Sequence, residues 1–224
     1  MNALTESNIA RHAALANWIA PSRTAVLIID MQVDFAAPDG VLGLAGVDMT
    51  ILRPALAAAQ RLAETARASG APVIFIGLQT SAEDDSPAWN ERLVRRGEAS
   101  GEDGGLCRAG SRGAEFYGPA PLANEAVVLK PRYSGFFRTD LDGRLKALGV
   151  DTLIACGVTT ECCVDCTVRD AFHLDYHVFV ASDACAAYET DLHEGALKSL
   201  DLNCAILVTT DEVAAAWGER AAHG

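Results

Sequence analysis

Apolar residues fall along this chain in two alternating rhythms. Short continuous runs occur at Thr24–Asp30 (TAVLIID), Pro72–Leu78 (PVIFIGL), Ala126–Lys130 (AVVLK), Thr152–Cys156 (TLIAC), His177–Ala181 (HVFVA) and Ala205–Val208. Their length and lack of polar alternation predict buried parallel strands. Between them apolar positions recur at helical spacing. Helices are predicted at 12–19 (ended by Pro21), Pro54–Ser69 (stopped by Gly70), Leu141–Leu148 (stopped by Gly149), Val164–Leu174, His193–Leu200 and Asp211–Trp217. Met31–Met49, rich in Gly, Pro and Asp, reads as loop. Residues 79–124 are long and polar, with a short helix at Trp89–Arg95. A segment of that length points to a lid or a subunit contact. The alternation predicts an α/β fold: a three-layer, six-stranded, mostly parallel sheet with helices on both faces, one domain over residues 1–224.

Composition narrows the function classes. Half of the residues are hydrophobic, so the chain is not disordered as a whole. A net charge of −12 argues against nucleic acid and against anionic membranes as partners. No apolar run approaches the about 20 residues that span a bilayer, and the first twenty residues lack the pattern of a signal peptide. Seven cysteines, an odd number with several in apolar runs, fit free thiols in a reducing cytoplasm.

Three predicted strands end on chemically useful groups. Asp30 closes the first, Lys130 the third, and the fourth leads through Gly157 into a turn and a helix that carries Cys163 near its start. In open parallel sheets, sites form outside the carboxyl ends of strands. The start of a helix lowers a thiol's pKa and offers N–H donors to an oxyanion. Each residue also has a plainer reading: a loop cap for Asp30, a snorkelling chain for Lys130, a small buried apolar group for Cys163. It is their coincidence that suggests an activated nucleophile. Cys162, Cys163 and Cys166 lack a second Cys/His pair at zinc spacing, and His173 and His177 do not complete a site, so no metal is expected.

With these motifs in place, the chain resembles the isochorismatase-like cysteine hydrolase superfamily over nearly its whole length. The resemblance rests on Ala25–Gln32 with Asp34 and Phe35, on Lys130–Phe137 with Thr139 and Leu141, on Gly157–Thr160 through Cys163-Val164, and on Thr167–Ala171. It implies a catalytic set of Asp30, Lys130 and Cys163. It also implies a non-proline cis peptide between Val158 and Thr159, and an oxyanion hole from the N–H groups of Thr159 and Cys163. The family spacing places the thiol four residues after the threonine and just before a valine, which selects Cys163 over Cys162.

The same resemblance implies a small amide, ureido or carbamoyl substrate, cleaved through a covalent acyl-enzyme with release of ammonia. The segment Arg132–Phe137 looks most like the ureidoacrylate and biuret amidohydrolases. Nicotinamidases of the superfamily hold a metal through an Asp and two His after the second strand; here that stretch, Leu78–Asp85, has no histidine, so no cofactor or metal is expected and nicotinamide is disfavoured. Isochorismate hydrolysis is disfavoured because those members do not rely on the thiol. Phe35, Trp89, Tyr133 and Phe137 are candidates to wall the pocket, or else core. Arg132 meets a substrate carboxylate or a surface partner; Glu161 meets substrate or neighbouring backbone. The family tends to homodimers or homotetramers. Two other classes stay open: a binding protein that kept only the fold, and a thiol redox protein using Cys163 and Cys166.

Overall fold

In the computed structural model, which describes residues 14–97 and 105–221, all six apolar runs form strands. They are β1 (Thr24–Ile29), β2 (Val73–Leu78), β3 (Ala126–Lys130), β4 (Thr152–Val158), β5 (His177–Ala186) and β6 (Ile206–Val208). The strands make one sheet in the order β3-β2-β1-β4-β5-β6, with every pairing parallel. β1, β2 and β4 are buried along their whole length, which is why they read as unbroken apolar runs. Edge strand β3 alternates instead, leaving Val127 and Leu129 exposed.

The helices are α1 (Val33–Ala36), α2 (Val41–Leu44), α3 (Arg53–Ser69), α4 (Pro87–Val94), α5 (Leu141–Ala147), α6 (Asp165–His173), α7 (Thr190–Asn203) and α8 (Thr210–Ala221). Helix α3 begins with a proline in its first turn, which sacrifices no intrahelical bond, and ends on Gly70 in the left-handed region at φ 76°. Its buried face is Ala55, Ala58, Ala59, Leu62, Ala63 and Ala66. Small alanines let it lie close to the sheet, and it packs against α8 and β5. Helices α6 and α7 pack on each other. Right-handed crossovers in the two directions from β1 and β4 put these pairs on opposite faces.

Strand order reverses between β1 and β4, and such a reversal opens a crevice at the strands' carboxyl ends. Register brings three of those ends level. Ile29 pairs with Gly157 across β1 and β4, Leu78 pairs with Lys130 across β2 and β3, and the Asp30 N–H donates to the Ile76 carbonyl at 2.8 Å.

Several local expectations change. Gly157 does not end β4, which runs on to Val158, and β5 runs on to Ala186 through a register shift between Ala155 and Gly157. Met31–Met49 is not plain loop; it holds the short helices α1 and α2. The N-terminal helix covers 14–18 among the described residues, positions 12 and 13 lying outside them. The segment 79–124 is tied down in its described parts: Asp34 accepts the Cys107 N–H at 2.7 Å, and bridges join Gln32 to Phe116 and Thr80 to Arg108.

Candidate active site

Asp30 is the first residue beyond β1, and its backbone is left-handed at φ 52°. Few residues other than glycine adopt this conformation, and aspartate is among those that tolerate it. The turn swings the carboxylate across the end of β2 toward Lys130. Lys130 Nζ donates to Asp30 Oδ2 at 2.6 Å and to the Arg132 carbonyl at 3.1 Å. Both side chains are sealed from solvent, at 0% and 1% exposure. Burial raises the Asp30 pKa, against the opposing charge of Lys130 and the hydrogen bonding of Cys163. Burial also pulls Lys130 down, but the charges of Asp30 and Cys163 outweigh it and hold the ammonium above its ordinary range.

Cys163 sits in a π-helical turn, Thr160–Val164, between β4 and α6. Such single turns recur at functional sites because they re-aim a side chain within a helix start. The Thr159 carbonyl accepts from the N–H groups of Cys162 and Val164, which closes the turn. The Val158–Thr159 peptide is cis. From α6, Thr167 Oγ1 donates to the Cys163 carbonyl at 2.7 Å and accepts the Gly135 N–H at 2.9 Å, joining this turn to the loop after Lys130. Cys163 is 5% exposed. Hydrogen bonding with the Cys162 sulfur, burial and the Asp30 charge together hold its thiol well above the usual range. That direction is opposite to the lowering expected from a helix start: the contact with Cys162, burial and the neighbouring anion all push the thiol up.

Gly157 makes this approach possible. Its φ is +136°, and a Cβ there would lie 2.0 Å from the Ile29 carbonyl oxygen. Only glycine lets β1 and β4 close up at the point where Asp30 and the Cys163 turn emerge.

Residues 24–212 match the Isochorismatase domain. The chain belongs to the isochorismatase family. It is 34% identical over 217 residues to the ureidoacrylate amidohydrolase RutB of Stutzerimonas stutzeri (strain A1501), covering 87% of each chain. Its fold is similar to a cysteine hydrolase from Pseudomonas syringae pv. phaseolicola 1448A, with a TM-score of 0.77, 29% identity, and 90% and 95% of the two chains covered. It is similar also to the N-carbamoylsarcosine amidase from Thermoplasma acidophilum, with a TM-score of 0.67, 26% identity, and 84% and 97% covered.

Around this family core the other candidates are distributed unevenly. Tyr133 is half-buried, and its phenol is pushed up by burial and by the nearby cysteines 162 and 163. Its ring tilts against Trp89, with centroids 5.4 Å apart. Arg132 lies over the other aromatic partner, 4.6 Å from the Trp89 ring, and donates to the carbonyls of Asp84 and Pro131 and to Ser86 Oγ. The guanidinium thus anchors the loop before α4. Phe35 packs with Tyr188 in a second small apolar cluster. Phe137 is 42% exposed under the Arg138 guanidinium. Glu161 stands in the same turn as Cys163 and accepts from Thr159 Oγ1 at 2.8 Å.

Three positioning residues escaped the sequence reading. Gln32 exchanges hydrogen bonds with both the N–H and the carbonyl of Leu78, at 2.8 and 2.9 Å, and donates to the Ala114 carbonyl at 2.8 Å. Thr167 links the two loops described above. Tyr188 donates to the Phe35 carbonyl at 2.7 Å and feels the charges of Glu161, Cys163 and Asp30. Gln32 and Thr167 belong to the quoted motifs, so a signal existed for them; Tyr188 carried none.

Among the described residues, no group of three or more His, Cys, Asp or Glu side chains is placed to hold a metal ion. Two of the three acids after β2 are otherwise engaged: Ser81 Oγ donates to Asp84, and Asp85 pairs with both ends of the Arg108 guanidinium at 3.0 Å. That donor set does not fit a metal. A cavity of about 490 Å³ lies at the amino ends of β5 and β6, beside Trp18, Arg23, Phe172 and His177, and is not lined by Asp30, Lys130 or Cys163.

Proposed function

We propose that this chain is a cysteine-dependent amidohydrolase that cleaves a small amide, ureido or carbamoyl compound and releases ammonia. The observation that carries the reading is the sealed Lys130–Asp30 pair, 2.6 Å long, with the Cys163 thiol beside it. This group holds one ammonium and one anion, and the anion's partner proton sits on sulfur or on carboxylate. Passing the proton from Cys163 to Asp30 leaves the net charge unchanged, so the low-dielectric site does not oppose it. Lys130 stabilises either anion.

The thiolate attacks the carbonyl carbon. The oxyanion is received by the N–H groups of Thr159 and Cys163, each donor worth about 2.7–4 kcal/mol. Asp30 returns the proton to the leaving nitrogen, and ammonia departs. Water, with Asp30 as base, then hydrolyses the acyl-enzyme. The relatives' names, ureidoacrylate amidohydrolase and N-carbamoylsarcosine amidase, support a carbamoyl nitrogen as the bond broken.

The same reading takes the chain as one domain and as a homodimer or homotetramer. It takes the setting as cytoplasmic, supported by seven free cysteines. No helix among the described residues is long and apolar enough to cross a membrane. The test is ammonia release against ureides, biuret, carbamoyl amino acids, maleamate and nicotinamide. Turnover of a carbamoyl compound that vanishes in Cys163→Ala is expected; full turnover by that variant overturns the proposal.

A further inference from the structure

Two buried side-chain oxygens lack a hydrogen-bond partner among the described residues: Asp30 Oδ1 and Glu161 Oε2. Asp30 adjoins the Cys163 thiol, and Glu161 precedes Cys163 by two residues in the same turn. A buried carboxylate oxygen left unpaired is costly, so each of these positions favours an N–H donor over a C–H group. Glu161 is fixed in place, because its other oxygen accepts from Thr159 Oγ1.

A carbonyl carbon at Cys163 has three coplanar directions to satisfy. Its oxygen takes the N–H donors of Thr159 and Cys163. Its leaving –NH2 must face Asp30, which protonates it. The retained substituent is left facing the remaining acceptor. We propose that Glu161 accepts a hydrogen bond from the retained nitrogen of a ureide, R–NH–CO–NH2, and so selects ureides over carboxamides, R–CH2–CO–NH2. This deepens the amidohydrolase reading and rests on it. The step balances as follows. The sulfur–carbon bond forms, the C–NH2 bond breaks, and the thiol proton leaves with ammonia by way of Asp30. Water then adds its OH to the thiocarbamate carbon and a proton to sulfur, giving the carbamic acid R–NH–COOH.

The test compares three matched compounds: a monosubstituted ureide, the same ureide methylated on the retained nitrogen, and the carboxamide with CH2 in place of NH. Wild-type kcat/KM should favour the ureide over both analogues by about 10- to 100-fold. Glu161→Gln keeps an acceptor for Thr159 and turns an amide NH2 toward the substrate, so the ratio should collapse toward one. An unchanged ratio in that variant overturns the proposal. Calorimetric binding to Cys163→Ala, with and without Glu161→Gln, reads the same preference without turnover. Preference in binding with no hydrolysis by the wild type would sink the amidohydrolase reading alone; binding with no Glu161-dependent preference sinks this one.

Discussion

Replacing Lys130 with methionine removes one charge from a pair that water does not reach, since its members are 0% and 1% exposed. Asp30, already raised by burial, then has no ammonium beside it. In the folded variant it takes up a proton, whereas in the unfolded chain it ionises near 3.9. At pH 7 that proton costs about 1.36 kcal/mol for each of roughly three pH units, or about 4 kcal/mol. At pH 5 the same arithmetic gives about 1.5 kcal/mol. The sign follows from a folded pKa above the unfolded one: stability is retained at low pH and lost as pH rises. Asp30→Asn should show the mirror image, its cost shrinking as pH rises toward the lysine range. The double variant Asp30→Asn/Lys130→Met buries no lone charge, so it should lose at least about 2 kcal/mol less than the sum of the singles. Urea unfolding followed by circular dichroism at pH 5 and pH 7 measures all of this. Single variants costing under about 1 kcal/mol at both pH values would mean that the pair behaves as a solvent-screened one, and the reasoning fails.

Gly157→Ala should destabilise the protein by about 3 kcal/mol or more, because its Cβ meets the Ile29 carbonyl at 2.0 Å; a melting temperature within a degree or two of wild type would contradict this. Gln32→Ala should cost on the order of 3 kcal/mol by orphaning the Leu78 N–H and carbonyl, again read by urea unfolding. Burial raises Asp30, and Cys163 shares its proton, so the acid limb of kcat/KM should lie above the ordinary carboxylate range of about 4. A limb at pH 4 in the pH–rate profile would place the base in solvent.

The sheet was legible because β1, β2 and β4 are buried on both faces and so write themselves as apolar runs. Asp30 and Lys130 were legible as charges closing such runs, and Cys163 as a thiol near the start of a predicted helix; the choice of Cys163 over Cys162 came from the family resemblance. What stayed hidden depends on tertiary contact. The β4 strand survives Gly157 because β1 needs that clearance, a fact about Ile29 rather than about its own sequence. The Cys163 thiol is raised by the adjacent Cys162, by burial and by Asp30, more than a hundred residues away; the last two are tertiary facts that no local signal reports. Arg132, read as meeting either a substrate carboxylate or a surface partner, donates to the carbonyls of Asp84 and Pro131, contacts that only the folded chain brings together. Tyr188 feels the charges of Glu161, Cys163 and Asp30 from a position just beyond β5, which the sequence reading had ended at Ala181.

The central claim is that the Cys163 sulfur becomes covalently bonded to the substrate carbonyl. Intact-protein mass spectrometry after rapid acid quench, with peptide mapping of the turn that holds Cys162 and Cys163, tests it directly. An acyl or carbamoyl adduct confined to Cys163, forming before ammonia release is complete and absent from Cys163→Ala, is the expected result. An adduct on Cys162, or steady turnover with unmodified Cys163 at every quench time, would contradict it.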